Sequence, residues 1–220
     1  MEIFMKLIFL GAPGAGKGTQ AEIVSERYSI PAISTGAIIR EAIKNETEMG
    51  LAAKAATERG ELVSDDVVIG IIKERLAKDD CKDGFILDGF PRTVPQAQAL
   101  SDMGVEIDLV VSIEVSDEAI VKRMGGRRVC PVCGASFHIE YNPSSKGDKC
   151  DKCDALLAIR KDDDPAVVLS RLETYHKQTE PLKSFYSGTG KLAIVEGQEE
   201  LADTTALVAK AIEAFRGDKK

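Results

Sequence analysis

The sequence predicts an α/β fold in which a parallel five-stranded sheet is flanked by helices. Three observations lead to this prediction: short apolar runs of strand character recur along the chain, helical patterns lie between them, and the first run leads into a glycine-rich turn that opens a helix. In such sheets, ligands bind at the carboxyl ends of the strands. The predicted strands are residues 6–10, 30–33, 85–87, 109–115 and 192–195.

The composition limits the classes of function. A chain of 220 residues, 44% of them hydrophobic, can bury one core and still carry an inserted subdomain. The net charge of −7 argues against nucleic acid as the main partner, because phosphate backbones are bound through basic surfaces. No apolar run approaches the roughly 18 residues of a membrane span. Four of the five cysteines form two CxxC pairs, which favours a reducing cytoplasm and a metal over disulfides.

Two segments interrupt the alternation of strands and helices, and both are expected to be insertions at the rim of the sheet. Residues 34–63 have helical patterns only, whereas residues 126–163 hold the paired cysteines, turn residues and short runs that suggest small strands. The helix boundaries are marked by residues that commonly cap helix N-termini, namely Ser34, Ser64, Ser116 and Asp164, the last followed by Pro165 at the first helical position.

The glycine-rich turn after the first strand has the spacing of a phosphate-binding loop. Gly11 and Gly16 are separated by four residues and followed by Lys17, although Gly18 stands between the lysine and Thr19. Glycines allow successive backbone N–H groups to point at a phosphate, and the helix N-terminus adds positive potential. Lys17 would place a full positive charge toward the outer phosphates. A bare strand-to-helix turn is the alternative, but a lysine after several glycines favours phosphate.

Asp88 follows the predicted strand at residues 85–87, so it is expected at the same edge of the sheet as the phosphate-binding loop. A carboxylate there can hold Mg²⁺ through water, because this ion keeps most of its hydration shell. Arg92 would stand at the same rim. In isolation, each of these residues would be read as an ordinary turn or surface residue.

Taken together, the motifs and their order resemble those of the adenylate kinase family, within the nucleoside monophosphate kinases, and specifically its long-lid bacterial type. The resemblance spans residues 5–215 and implies a P-loop NTPase-like fold and the reaction ATP + AMP ⇌ 2 ADP with Mg²⁺. It rests on the segments 11–20, Ser34-Thr35-Gly36, Asp88-Gly89-Phe90-Pro91-Arg92 and Gly126-Arg127-Arg128.

The resemblance also implies a set of residues that bind AMP. The segment 34–63 corresponds to the AMP-binding insert of the family, and Gln96 to the residue that reads the adenine edge. From the sequence alone, Gln96 would be a helix-surface amide. Ala37 departs from the family, because many members have Asp there. The implied AMP-binding residues are Thr35, Arg40, Glu61, Leu62, Val63, Gly89, Phe90, Arg92, Gln96, Arg160 and Arg171.

Further residues are implied for catalysis and for ATP. Asp162 and Asp163 resemble carboxylates that pair with the phosphate-binding arginines. Arg123 and Arg127 are four residues apart and would share a helix face if the helix extended that far. Phe137 is implied to contact the ATP base, although it fits the core of the lid equally well. The implied catalytic residues are Lys17, Asp88, Arg92, Arg123, Arg127, Arg160 and Arg171. The implied ATP-binding residues are Gly14, Ala15, Gly16, Lys17, Gly18, Thr19, Arg123, Arg127, Ser136, Phe137 and Glu199.

The paired cysteines predict a structural zinc site. Cys130 and Cys133 precede Cys150 and Cys153 by the spacing of a four-thiolate zinc ribbon, which leaves no position open for substrate. The alternatives are two redox pairs, which lack a thioredoxin-like context, and a nucleic-acid-binding ribbon, which the neighbouring aspartates disfavour. Cys81 is expected to be a buried free thiol.

These patterns and the resemblance predict a zinc-lidded, cytoplasmic and monomeric adenylate kinase that binds ATP, AMP and ADP. One alternative is a UMP/CMP kinase or another nucleoside monophosphate kinase on the same fold. A second is a zinc-ribbon binding module whose phosphate loop acts only as a sensor. The expected division is a core of residues 1–33, 64–125 and 164–220, a nucleoside monophosphate-binding insert of residues 34–63, and a lid of residues 126–163.

Overall fold

The computed structural model describes residues 5–217, so the outermost residues of the expected core, 1–4 and 218–220, lie outside it. Its main sheet contains five parallel strands, as the sequence predicts. Their order across the sheet is β2-β3-β1-β4-β7. These strands are β1 (Met5–Leu10), β2 (Ala32–Ser34), β3 (Gly84–Asp88), β4 (Leu109–Glu114) and β7 (Leu192–Glu196).

Helices cover both faces of the sheet. They are α1 (Lys17–Tyr28), α2 (Thr35–Lys44), α3 (Glu48–Glu58), α4 (Asp65–Leu76), α5 (Val94–Asp102), α6 (Asp117–Gly126), α7 (Pro165–Thr174), α8 (Leu182–Ser187) and α9 (Leu201–Gly217). Short 3₁₀ turns lie at Asp79–Cys81 and Lys161–Asp163, and a π-helical turn at Tyr175–Thr179 follows α7. In the described chain, no helix is both long and apolar enough to cross a membrane.

Two hydrophobic cores lie on opposite faces of the sheet. Because side chains alternate along a strand, Leu7 and Phe9 of β1 point into one core and Ile8 and Leu10 into the other. Nearly all of these side chains are fully buried, which is typical of a parallel sheet covered on both faces. The sheet therefore provides a rigid base from which the strand ends present the site.

Three of the four expected capping interactions are present. The side chains of Ser34, Ser116 and Asp164 accept hydrogen bonds from backbone N–H groups in the first turns of α2, α6 and α7. Ser64 precedes α4, but its side chain makes no capping hydrogen bond. The acidic residues Asp65 and Asp66 in the first turn of α4 instead complement the helix dipole.

Residues 126–163, referred to below as the lid, form a second small structure that includes β5 (Arg127–Val129) and β6 (Ser136–His138). This antiparallel pair and the isolated bridges beside it are the short strands that the sequence suggests. Arg127 begins β5 because α6 ends at Gly126, so the expected helix face shared by Arg123 and Arg127 is not formed.

Candidate active site

The phosphate-binding loop lies between the buried strand β1 and the N-terminus of α1, as the motif requires. Gly16 precedes α1 with a φ of 98°, a conformation that favours glycine. Gly11 has a φ of 135°, and a Cβ there would lie 2.4 Å from the carbonyl oxygen of Ile113. Both positions therefore demand glycine.

The Lys17 ammonium is held by its own loop. Lys17 Nζ donates hydrogen bonds of 2.7 Å to the carbonyl oxygens of both Gly11 and Ala12. Burial lowers the pKa of Lys17 to about 8; Asp88 opposes this shift and Arg92 adds to it. A phosphate in the loop would offer the ammonium charged oxygens in place of neutral carbonyls.

Asp88 lies at the end of β3, beside the loop. A Cβ on Gly18 would lie 3.3 Å from Asp88 Oδ2, which explains why a glycine separates Lys17 from Thr19 in this motif. The carboxylate is thus near the start of α1, where phosphate oxygens would sit. A carboxylate in this position fits a water-mediated Mg²⁺ contact.

A group of arginines converges on the middle of the cavity. This arginine cluster consists of Arg40, Arg92, Arg127, Arg160 and Arg171, all of which line one cavity of about 470 Å³. Burial, with the neighbouring Arg40 and Arg127, lowers the pKa of Arg160 to about 10. Like charges are costly at such proximity unless anions join them, so the cluster is built for a polyanionic ligand.

Two aspartates orient this cluster, as the sequence predicts. Arg127 Nε donates to Asp163 Oδ2 at 2.8 Å, and a second bond joins the same two side chains. Arg171 Nη1 lies 3.0 Å from Asp162 Oδ2 and 3.6 Å from Asp163 Oδ1. Burial acts to raise the pKa of Asp162, but Arg171 and the other arginines outweigh it and hold that pKa below its usual range.

One side of the cavity is formed by α2, the segment 60–63 and the loop after β3. Thr35 Oγ1 and Arg92 Nε both donate to the carbonyl oxygen of Gly89, at 2.7 and 2.9 Å. Ala37, Glu61, Leu62, Val63 and Gln96 also line this side. Gln96 is buried rather than on the helix surface, and only 1% of it is exposed.

Phe90 is the one residue of the implied nucleotide-binding set whose side chain does not line this cavity in the described structure. It is completely buried in the hydrophobic core formed with Ile33, Ile39 and Leu100. The ring packs into the core, so the implied AMP contact of Phe90 stays a prediction that the position of its side chain does not support.

The opposite side of the cavity is formed by the loop, the end of α6, the lid and the segment after β7. Arg123 Nη2 donates to the carbonyl oxygen of Gln198 at 2.6 Å, so it lies away from the arginine cluster. Ser136, Phe137 and Glu199 line this side. Phe137 is also 91% buried in a small core with Cys130, Ala135 and Cys150, so both of its expected roles remain compatible with its position.

Two residues near the cavity carry no signal in the sequence. Thr179 is buried in the π-helical turn, and its Oγ1 donates to the carbonyl oxygen of Arg92 at 2.8 Å. His138 Nε2 bonds the carbonyl oxygen of Arg123 at 3.1 Å, while its Nδ1 accepts from the backbone N–H of Glu140. The Nδ1 contact makes Nε2 the protonated nitrogen, and burial lowers the pKa of His138.

The four paired cysteines form a compact group in the lid. Their sulfur atoms all lie within 4.8 Å of one another, with neighbouring pairs at 3.4–3.6 Å. A tetrahedral zinc site with bonds of about 2.3 Å has sulfurs separated by about 3.8 Å, and a disulfide has them at about 2.05 Å. The group therefore fits a four-thiolate metal site, and all five cysteines are free thiols. Cys81 is buried, as expected.

Comparisons with known proteins agree with this geometry. The family model described as adenylate kinase matches residues 9–191. A protein named adenylate kinase from Caldicellulosiruptor bescii is 56% identical over 212 residues, covering 94% of this chain and 99% of the relative. Relatives of the same name from Acetivibrio thermocellus and Bacillus pumilus are 50% and 51% identical, covering 96% and 92% of this chain and 100% and 95% of those proteins. The chain therefore belongs to the adenylate kinase family of phosphotransferases.

Proposed function

We propose that the cavity holds both nucleotides of the adenylate kinase reaction, ATP + AMP ⇌ 2 ADP, with their phosphates meeting at the arginine cluster. One observation carries this proposal: the cluster lines the same cavity as the phosphate-binding loop and residues of the segments 35–40 and 60–63. A loop alone would indicate one bound phosphate group. A second binding side and a row of arginines between the two indicate a transfer.

ATP is proposed to lie on the side of the phosphate-binding loop. The backbone of residues 14–19 and Lys17 would bind its phosphates, and Arg123, Ser136, Phe137 and Glu199 would surround its nucleoside. Mg²⁺, which the family uses with ATP, supplies neutralisation of phosphate charge when bound. Asp88 is the residue that would hold it, through water.

AMP is proposed to lie on the opposite side. Thr35, residues 61–63, Gly89 and Gln96 would surround its base, and Arg40, Arg92, Arg160 and Arg171 would bind its phosphate. Gln96 suits the reading of a base because its amide offers both a donor and an acceptor. Arginine suits phosphate because its planar fork meets two oxygens at once.

Catalysis in this site would come from position and charge. The attacking phosphate of AMP needs no protein nucleophile, so the cluster acts by aligning the two nucleotides and stabilising the charge on the transferring group. In related phosphoryl transfers, a single arginine increases kcat by a factor of roughly 10³–10⁵. The lid would exclude water, which would otherwise hydrolyse ATP.

The lid is proposed to depend on a structural zinc ion bound by Cys130, Cys133, Cys150 and Cys153. Their sulfurs lie away from the nucleotide cavity, so the metal would hold the lid together without contacting phosphate. A lid of residues 126–163 and an AMP-binding insert of residues 34–63, around a core of residues 1–33, 64–125 and 164–220, are the proposed domains. Their support is the separate two-stranded sheet of the lid and the two helices of the insert.

A cytoplasmic monomer is the proposed form of the protein. Both nucleotide sides of the cavity and the residues between them are supplied by one chain, so catalysis requires no second copy. The free thiols, including an exposed pair at Cys133 and Cys153, fit a reducing compartment.

The acceptor assignment is tested by a coupled assay of ADP formation with AMP, CMP, UMP and GMP, each with MgATP. AMP is expected to have the highest kcat/KM, because the buried Gln96 amide matches the amino group and ring nitrogen of adenine. A UMP/CMP kinase is the second candidate, since Ala37 lines the acceptor side where many family members have an aspartate. A higher kcat/KM with CMP or UMP would establish that candidate instead.

A further inference from the structure

We infer that Asp65 determines the acceptor-base preference of the enzyme by holding the Gln96 amide in one of its two orientations. This inference rests on the proposed function, in which Gln96 faces the base of the acceptor nucleotide. Asp65 is not one of the described residues that line the cavity. It is therefore a positioning residue that acts through Gln96.

The contacts around Gln96 permit only one orientation of its amide. Gln96 Oε1 accepts the backbone N–H of Arg92 at 2.7 Å, and Gln96 Nε2 donates to Asp65 Oδ1 at 2.7 Å. A backbone N–H can only donate, and an ionised carboxylate can only accept. Rotating the amide by half a turn would bring two donors together at Arg92 and two acceptors together at Asp65.

Asp65 is itself held in place. It lies in the first turn of α4, and both of its carboxylate oxygens are 3.1 Å from Thr93 Oγ1. Thr93 in turn caps α5, accepting the backbone N–H of Gln96 through its hydroxyl at 3.3 Å. The carboxylate therefore links two helices at the point where Gln96 emerges, and the amide is 1% exposed.

This arrangement has a consequence for the base. One hydrogen bond to Arg92 and one to Asp65 leave the Gln96 amide with one N–H and one oxygen lone pair for a ligand. The relative positions of this donor and this acceptor are fixed. Adenine presents an amino donor beside a ring-nitrogen acceptor, whereas a 6-oxo purine presents an acceptor beside an N–H donor. A locked amide satisfies the first pattern, and an amide free to rotate satisfies either one.

The inference is tested by comparing AMP with IMP, which differ only at the 6-position and N1. We expect Asp65→Asn to reduce the preference for AMP over IMP, measured as the ratio of kcat/KM values, by about tenfold, because asparagine can either accept or donate and only the N–H of Arg92 then still selects the amide orientation. The KM for ATP should stay within about twofold. Asp66→Asn is the matched control, since it removes the same charge from an exposed neighbour in the same helical turn.

A double-mutant cycle with Gln96→Ala separates positioning from a general effect on the fold. If Asp65 acts through Gln96, Asp65→Asn should leave the AMP-to-IMP ratio unchanged in the Gln96→Ala background. Should Asp65→Asn fail to fold, Asp65→Ser is the second variant, because its hydroxyl also donates or accepts, and the same loss of preference is expected.

Three results would overturn the inference. The first is an unchanged AMP-to-IMP ratio of kcat/KM in folded Asp65→Asn. The second is that Asp65→Asn changes this ratio equally in the Gln96→Ala background, and the third is a wild-type enzyme with no preference between AMP and IMP. Failure of the proposed function looks different, because the wild-type protein would then form no ADP from ATP and AMP.

Discussion

At the scale of a single residue, the pKa of Lys17 depends on the charges that surround its ammonium. Burial of its ammonium, together with the nearby Arg92, Arg171 and Arg127, lowers the pKa of Lys17 to about 8 although Asp88 opposes the shift. Bound phosphates would raise that pKa again, because they place negative charge at hydrogen-bonding distance. The free enzyme and its ATP complex should therefore differ in their response to pH.

The expected outcome is a fall in kcat/KM for ATP as the pH rises above about 8. A lowered pKa means that the free enzyme loses the Lys17 proton in this range, and a neutral amine attracts phosphate poorly, so the fall approaches tenfold per pH unit. The ratio kcat/KM reports free-enzyme groups, whereas kcat reports the complex and should change less. Steady-state kinetics from pH 7.5 to 9.5 provide the measurement, and a flat kcat/KM profile would contradict it.

Lys17→Ala is the companion variant. It should lower kcat by roughly 10²–10³ while leaving the circular dichroism spectrum intact, because it removes a charge directed at the transferring phosphoryl group. Lys73→Ala, which removes an exposed lysine from α4, is the control. Unchanged turnover in Lys17→Ala would favour the sensor interpretation of the loop over the enzyme.

Functional residues are predictable from the sequence when they form a motif of neighbouring residues, and not when their partners are distant in the chain. The loop glycines, Lys17 and the paired cysteines are recognised by spacing alone. Asp65 and Thr179 are not, because their partners lie 31 and 87 residues away and are identified only by the packing of separate helices. The burial of the Phe90 ring was not predictable for the same reason, since a strand-end motif does not reveal which side chains enter the core.

At the scale of elements, the starts of several helices were predictable from the sequence. Ser34, Ser116 and Asp164 cap helices through bonds within three residues, which a sequence pattern captures. The π-helical turn after α7 has no such pattern. The helix α6 ends at Gly126, so Arg127 lies on β5 and the condition for a helix face shared with Arg123 is not met.

The lid is the element whose stability should depend most on a metal. Its small core consists of Cys130, Ala135, Phe137 and Cys150, too few apolar groups to support an independent fold. Removing zinc should therefore lower the melting temperature while leaving appreciable activity at 25 °C. Calorimetry and kinetics before and after chelation, with elemental analysis of the protein, provide the measurement. An unchanged melting temperature after complete removal would refute a structural role.

At the scale of the whole molecule, the segments 34–63 and 126–163 each contact a helix of the rest of the chain. Ser170 Oγ of α7 donates to the carbonyl oxygen of Arg59 at 2.9 Å, which ties the insert to the helix that follows the lid. Lys152 of the lid lies 3.8 Å from Glu22 of α1. The sequence predicts both segments as insertions, but these contacts join residues far apart in the chain and are not predictable from it.

The arginine cluster concentrates positive charge in one cavity, so the folded molecule should be stabilised by polyanions without a base. Tripolyphosphate is expected to raise the melting temperature by several degrees at saturation, because a ligand at 100 times its Kd adds about 2.7 kcal/mol to the free energy of unfolding. The change should exceed that caused by sodium chloride at equal ionic strength, and Arg127→Ala should reduce it. Differential scanning fluorimetry with both salts measures it. Equal changes with the two salts would mean that the cluster does not bind phosphate chains.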